Sequence, residues 1–186
     1  DPTLPLVQIE VVNGRLAAAY AAAEHFRYPW RELTTVGITG TNGKTTSAAI
    51  LRHLLSTAGP AASIGTLGAV NADGSVIPGS EGLTTPGPVE VARWMRRLCD
   101  RGVAAVAMET SSHALHQHRV AAVRFDAALF TNFSRDHLDY HVTEQEYLQA
   151  KMLLATLVKP NGAVVVNADD PAWQALDPPV SVRRVT

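Results

Sequence analysis

The sequence of 186 residues predicts an α/β fold, a mostly parallel sheet flanked by helices and of the phosphate-loop type. Three observations carry this expectation. Apolar, β-branched segments of strand length alternate with longer segments of helical period. A glycine-rich loop stands where the first strand hands over to a helix, which is the context a phosphate loop needs. The composition, 46% hydrophobic and 18% charged, is enough to bury one sizeable core.

The elements follow in order. After the break at Asn13-Gly14, an alanine-rich segment from Arg15 to Phe26 reads as a linker helix, stopped before Tyr28-Pro29 because the residue ahead of a proline is steered out of the helical region. Leu33 to Thr39 reads as a buried strand, and Thr45 to Thr57 as a helix that ends at Gly59-Pro60. Ala61 to Leu67 is the next strand, followed by a hairpin-like excursion with its turn at Asn71-Ala72-Asp73-Gly74 and its return at Val76-Ile77. Pro88 suits the first turn of a helix running to Arg101 and closed by Gly102. A strand at Val103 to Met108, a short helix at Ser111 to His118 and a strand at Phe125 to Phe130 come next. A helix from Glu144 to Leu157 with Thr143 as its cap and a strand at Ala163 to Val166 complete the pattern. Strands alternating with helices imply a parallel sheet covered on both faces. The sequence contains no internal repeat or low-complexity tract.

Composition excludes several classes of function. With 16 basic against 17 acidic residues there is no broad positive field for nucleic acid or an anionic membrane surface, so any phosphate binding must be local. Cys99 is the only cysteine, which rules out an internal disulfide and fits a cytoplasmic setting. No apolar run approaches the roughly 20 residues that span a bilayer, and Asp1-Pro2-Thr3 lacks the features of a signal sequence, so no membrane insertion is expected. Thirteen arginines accompany three lysines, Lys44, Lys151 and Lys159. Lysine and arginine differ in pKa, shape and reactivity, so each lysine invites a question about its role.

The first of them lies in Gly40-Thr41-Asn42-Gly43-Lys44-Thr45-Thr46. Glycines let the backbone turn tightly and bring N–H groups against phosphate oxygens, and the new helix adds its unpaired amides and positive dipole end. Lys44 would neutralise the outer phosphates of a nucleotide, and the Thr45 hydroxyl would reach Mg²⁺. The longer phosphate-loop pattern needs a glycine where Ile38 stands, so the match is to the shorter Gly-x-x-Gly-Lys-Thr form. The alternative is an ordinary glycine-rich turn with an exposed lysine.

Two strand ends supply further candidates. Glu109 follows the strand Val103 to Met108 and is either a metal ligand at the ligand-binding edge of the sheet or a cap for the helix beginning near Ser111. The strand Phe125 to Phe130 delivers the segment Thr131 to His141, in which His137 offers a ring nitrogen to a divalent ion, although His137 or His141 taken singly reads as a surface or cap residue. Lys151 sits one helical turn after Tyr147 on the same helix face, a position that by itself describes a solvated lysine.

Together these segments resemble the Mur ligase family, specifically its MurE branch. The resemblance is carried by Gly40 to Thr46, Leu83-Thr84-Thr85-Pro86, Glu109-Thr110-Ser111-Ser112-His113-Ala114-Leu115 with Gln117 and Arg119, Thr131 to His141, and Tyr147 to Lys151, in order across about two thirds of the chain. The first segment is common to the superfamily, and the Thr-Thr-Pro and Ser-Ser-His segments point to the MurE branch.

The resemblance implies a bacterial, cytoplasmic, ATP-dependent ligase of peptidoglycan synthesis, acting as a monomer. It would activate the D-Glu carboxylate of UDP-MurNAc-L-Ala-D-Glu as an acyl phosphate and join it to a third amino acid, meso-diaminopimelate in preference to L-lysine. Residues Gly40, Thr41, Asn42, Gly43, Lys44, Thr45 and Thr46 would bind ATP. Thr45, Glu109, His137 and Lys151 would serve Mg²⁺, with Lys151 a candidate for carbamylation by CO₂. Lys44, Glu109, His137 and Lys151 form the implied catalytic set, and Thr84, Thr85, Ser111, Gln117 and Arg119 would contact the precursor. A family enzyme has three domains. Residues 1–32 correspond to the tail of the first and a linker helix, and residues 33–186 to the central ATP-binding domain, expected to stop before its sheet is finished and without the third domain. A folylpolyglutamate or cyanophycin synthetase-like ligase shares the ATP loop but fits the Thr-Thr-Pro and Ser-Ser-His segments poorly, and a non-catalytic nucleotide-binding module is the third possibility.

Overall fold

A computed structural model of the chain describes residues 8–186. Residues 1–7, including the Asp1-Pro2-Thr3 terminus considered above, lie outside the described residues. Seven strands form one sheet in the order β3-β2-β4-β1-β5-β6-β7. They are β1 Thr34–Thr39, β2 Ala61–Gly65, β3 Gly68–Val70, β4 Ala105–Glu109, β5 Phe125–Phe130, β6 Val158–Val166 and β7 Arg183–Val185. Every pairing is parallel except β2 with β3, the hairpin, whose return is marked by a bridge between Val70 and Val76. Among the described residues six α-helices accompany the sheet: α1 Gly14–His25, α2 Lys44–Leu55, α3 Pro88–Asp100, α4 Ser112–His116, α5 Leu138–His141 and α6 Glu144–Thr156. Among the described residues no helix is long and apolar enough to cross a membrane.

The two faces of the sheet are covered unequally. Alternate residues of the strands, among them Ile64, Val106, Met108, Ala128, Phe130 and Val164, with Phe125 on the far side of a register shift, join α1, α3 and α6 in one large core. The opposite residues, Ile38 and Ala107, form a small second buried cluster with Ala48 of α2, against which the partly buried Val36, Leu51 and Leu129 pack. Close helix packing on the large face has a local cause at Gly37, where a methyl group would meet the Leu154 side chain of α6 at 2.8 Å. The helix α1, read as a linker, docks Ala19, Ala22 and Ala23 into the large core and packs against α3.

Local chemistry explains the element ends. Asn13 caps α1 by accepting from the Leu16 amide at 3.0 Å. Arg101 follows α3, and the amides of Gly102 and Val103 then return to Cys99 and Leu98, a Schellman ending. Thr143 and Glu146 form a reciprocal capping box at the start of α6. Three elements differ from expectation. The strand expected at Ala163 begins at Val158, because a register shift beside Phe125 and Ala127 takes up Lys159 to Gly162. The helix α5 and the edge strand β7 were not expected at all. Lys159 has a structural role: its ammonium bridges both Asp126 carboxylate oxygens at 3.0 and 2.9 Å and the Trp30 carbonyl at 3.3 Å, at the end of the sheet away from the phosphate loop.

The strand order reverses around β1. The chain runs outward on one side through β2, returns as β4 and then crosses β1 to reach β5, so the carboxyl end of β1 is the switch point of the sheet. Register puts Ile38 beside Glu109 and Thr39 beside Phe130, which brings the ends of β4 and β5 level with the loop after β1.

Between α5 and α6 the chain turns through Val142 at φ 65° and ψ −49°, closed by a Thr143 amide bond to the His141 carbonyl at 2.7 Å. This is a γ-turn of the strained hand, occupied by a β-branched residue whose side chain is 75% exposed and so gains little from packing. Val142→Gly is therefore expected to stabilise the protein by about 1 kcal/mol. Chemical denaturation measures it, and an unchanged or lowered midpoint would remove the strain from the account.

Candidate active site

The phosphate loop is held by the segment that leaves β5. The Thr41 amide donates to the Asn132 carbonyl at 2.8 Å, the Asn42 amide donates to Asn132 Oδ1 at 2.9 Å, and the Thr131 hydroxyl donates to the Asn42 carbonyl at 2.8 Å. Thr41 Oγ1 donates to the Ser134 carbonyl at 3.1 Å while accepting from the Ser134 amide at 3.0 Å. Such close docking requires glycine at position 40, where any Cβ would overlap Thr131 Oγ1 and where φ is 148°.

Two lysines meet at this loop. Lys44 Nζ donates to the carbonyls of Gly40 and Thr41 at 2.9 and 2.8 Å, and Lys151 Nζ donates to the same Gly40 carbonyl at 2.7 Å. The reading of Lys151 as a solvated helix lysine is corrected here. The residue is only 1% exposed, because α6 lies flat on the large core, and its ammonium sits 4.3 Å from the centre of the Tyr147 ring. Burial, together with the positive charge of Lys44, pulls the Lys151 amine down to a pKa of about 7. Burial also lowers Lys44, against the pull of Glu109 and Asp136.

Glu109 is the last residue of β4 and is buried, at 1% exposure. It does not cap the following helix; Ser111 does, accepting from the Ala114 amide at 3.2 Å. The carboxylate instead accepts from the Thr45 hydroxyl at 3.0 Å, the Thr66 amide at 2.9 Å and the Thr66 hydroxyl at 3.3 Å. Gly65 makes room for it, since a Cβ there would overlap Glu109 Oε1. Among the described residues the Glu109 carboxylate forms no salt bridge. A buried carboxylate without an ion pair and flanked by hydroxyls is a hard oxygen donor set of the kind Mg²⁺ takes, and in that respect these residues fit the ion. No group of three or more His, Cys, Asp or Glu side chains that could hold a metal occurs among the described residues.

His137 shares no hydrogen bond or ion pair with this carboxylate among the described residues. It is exposed at the start of α5 with φ 52°, and its contacts run to Asp136 at 3.7 Å, to the His113 ring at 4.8 Å and to the Tyr147 ring at 5.8 Å. It belongs to a cluster of rings with His113, His116, Tyr140, His141 and Tyr147. His141, expected at the surface or in a cap, is buried, with Nε2 3.0 Å from Ser112 Oγ. Desolvation and then the neighbouring imidazoles hold its pKa down to about 4, so it is neutral at physiological pH.

The remaining predicted residues form a linked row beside Glu109. The Thr85 hydroxyl donates to the Glu109 carbonyl at 2.9 Å and accepts from the Ser111 amide at 2.9 Å. The Arg119 guanidinium donates to the Thr85 carbonyl at 2.8 Å and to Gln117 Oε1 at 3.0 and 2.6 Å. Thr84 touches the Thr66 hydroxyl at 3.2 Å. A cleft of about 320 Å³ is lined by Thr41, Asn42, Gly43, Lys44, Thr45, Thr46, Thr66, Thr84 and Glu109. Thr66, Gly65 and Asn132 were missed as site residues. For Asn132 the signal was present, in its place directly after a strand end; for Thr66 and Gly65, which follow from the packing of β2 beside β4, none was.

Comparison with known proteins gives the family and the fold. Residues 38–185 match the family model of the Mur ligase middle domain. A UDP-N-acetylmuramoyl-L-alanyl-D-glutamate--2,6-diaminopimelate ligase of Geobacter metallireducens is 44% identical over 170 residues, covering 88% of this chain and 33% of that protein. The protein of the same description from Mesorhizobium japonicum is 47% identical over 174 residues, covering 92% of this chain and 35% of its own. The chain thus spans about a third of the length of these curated relatives. A solved structure of a ligase of that description superposes with a TM-score of 0.77 at 28% identity, covering 99% of this chain and 38% of the other. A Mycobacterium tuberculosis folylpolyglutamate synthase, complexed with ADP and AMPPCP, shares the fold with a TM-score of 0.68 at 17% identity, over 91% of this chain and 46% of that one.

Two outcomes follow from the geometry. Gly65→Ala pushes the Glu109 carboxylate aside, so it is expected to weaken binding of a magnesium–nucleotide complex at least tenfold while circular dichroism stays unchanged; undiminished affinity would show that Glu109 takes no part. Lys151 has a folded pKa of about 7 against an ordinary value of 10.5. The unfolded chain therefore holds a proton that the folded chain has lost between those values, and stability rises with pH across that window. Wild type should gain stability relative to Lys151→Met from pH 7 to pH 10, in denaturant titrations run at several pH values; parallel curves would contradict the depressed pKa.

Proposed function

Because the chain belongs to the Mur ligase family, through the match of its residues 38–185 to the middle-domain model, we propose that it is the ATP-binding core of an ATP-dependent amide ligase. Its acceptor would be UDP-MurNAc-L-Ala-D-Glu, with meso-diaminopimelate preferred to L-lysine as the amino acid added. Residues 1–32 would be the tail of the preceding domain with its linker helix, and residues 33–186 the central domain. Both ATP and a nucleotide-linked precursor are cytoplasmic compounds, so the cytoplasm is the proposed place of action.

The observation that carries this reading is the convergence of Lys44 and Lys151 on the Gly40 carbonyl, with the buried Glu109 tied to Thr45 nearby. A carboxylate approaching ATP brings like charges together, and the site must offset them. Lys44 and the amides of Gly40 to Thr46 would hold the outer phosphates of ATP, with Lys44 leaving its loop carbonyls for them. Thr45, Glu109, His137 and Lys151 are the residues proposed to hold Mg²⁺, which supplies positive charge for the transferring phosphoryl group. Lys151 would serve as a carbamate: its neutral amine adds CO₂ and releases one proton, turning a cation into an anionic oxygen donor. Free lysine is rarely neutral at pH 7, and the depressed pKa of Lys151 supports this step. Thr84, Thr85, Ser111, Gln117 and Arg119 would contact the precursor, Arg119 through its planar fork.

The test is calorimetric titration of the chain with Mg²⁺ and a non-hydrolysable ATP analogue, then with UDP-MurNAc-L-Ala-D-Glu. Lys44→Ala should lose the nucleotide. In the enzyme carrying this domain, Lys151→Ala should be inactive and regain activity with short carboxylic acids that replace the carbamate. Nucleotide binding that survives Lys44→Ala would overturn the loop assignment, and activity retained in Lys151→Ala would overturn the carbamate.

A further inference from the structure

Gln117 and Arg119 leave one question open: what fixes the Gln117 amide. A glutamine side chain has a donor end and an acceptor end, and Arg119 has donors only. Gln117 Oε1 accepts two bonds from Arg119, at 3.0 and 2.6 Å, so its Nε2 must face elsewhere and find an acceptor. It finds the Tyr140 hydroxyl at 3.0 Å, which also meets His116 Nδ1 at 2.9 Å. A flipped amide would set Nε2 against the guanidinium, donor against donor. We infer that Tyr140 is a positioning residue for the precursor, its hydroxyl giving the Gln117 Nε2 donor a partner in the orientation that Arg119 requires and so anchoring the amide that holds Arg119.

The consequence reaches the ligand through Arg119. Three hydrogen bonds hold its guanidinium, two to Gln117 Oε1 and one to the Thr85 carbonyl. Two of its five N–H donors are left for an anion. Arg119 lines a cavity of about 320 Å³ with Gly14, Arg15, Ala18, Pro88 and Gln117, and the Arg15 charge acts on Arg119 across it. Two guanidinium groups at one cavity favour a phosphate or carboxylate group of the precursor. The relay runs from α5 through the end of α4 to the loop at Thr85, so α5 helps fix a site with which its own backbone has no bond.

This inference rests on the proposed contact of Gln117 and Arg119 with the precursor, and its test separates the two. In the enzyme carrying this domain, Tyr140→Phe keeps the ring that packs 4.2 Å from His113 and removes only the hydroxyl. The expected result is a roughly tenfold rise in the precursor Kd and KM, with kcat and the KM for ATP within about twofold of wild type. In a Gln117→Glu background, where both side-chain oxygens accept and no orientation needs choosing, the same Tyr140→Phe change should alter the precursor Kd by less than about twofold. Equal weakening of ATP and precursor, together with a lowered Tm, would make Tyr140 a packing residue only. A precursor Kd unchanged by Tyr140→Phe but raised by Arg119→Ala would overturn the positioning role alone. A Kd unchanged by Arg119→Ala as well would overturn the underlying assignment and this inference with it.

Discussion

One carbonyl oxygen, that of Gly40, receives ammonium groups from two parts of the chain that are far apart in sequence, Lys44 at the start of α2 and Lys151 in the middle of α6. The arrangement depends on backbone approach. Gly40 can face the segment leaving β5 only because it has no side chain, and α6 can lie over β1 only because Gly37 leaves space for Leu154. Cationic charge so gathered in a buried place is unfavourable by itself. It is tolerable because the Lys151 amine gives up its proton near neutrality and because the carboxylates of Glu109 and Asp136 act on Lys44.

The carboxylate side of the site is built with equal economy. Glu109 sits at the end of a strand whose neighbours are level with it, so the donors around it come from the first turn of α2 and from the turn after β2. Thr85 then ties the peptide of Glu109 to the proposed precursor side, through its bond to the Glu109 carbonyl and through Arg119. A single strand end thereby connects the proposed phosphate-binding half of the cleft to the proposed acceptor-binding half. Displacement of β4 by a fraction of an ångström would be felt in both.

Much of this was legible in the sequence where local rules decide. The phosphate loop, the strand-end position of Glu109, the cap at Thr143 and the hairpin turn near Asn71 each follow from a few neighbouring residues and came out in place. What was not legible depends on tertiary contact. Lys151 reads as a surface lysine until α6 is laid on the core, and His141 reads as a cap until α4 is packed beside it. The edge strand β7 carries two exposed arginines and looks like a tail; only its pairing with β6 makes it a strand. The first half of β6 was hidden by Pro160-Asn161-Gly162, a turn signature that the structure absorbs as a register shift. Gln117 and Tyr140 are 23 positions apart, and nothing in their spacing announces a hydrogen bond.

The unequal cover of the sheet has a dynamic consequence. The helix that begins at the phosphate loop, α2, has Ala48 as its one buried residue, while Ile50 and Leu54 are more than half exposed. An element anchored so lightly opens more readily than the strands beneath it, and its amides exchange with solvent through local unfolding rather than through global unfolding of the domain. Ligand gripped by the amino end of α2 adds its binding free energy to that local opening. Occupancy of the loop would thus be written along the whole helix as slowed amide exchange, about three turns away from the ligand that causes it.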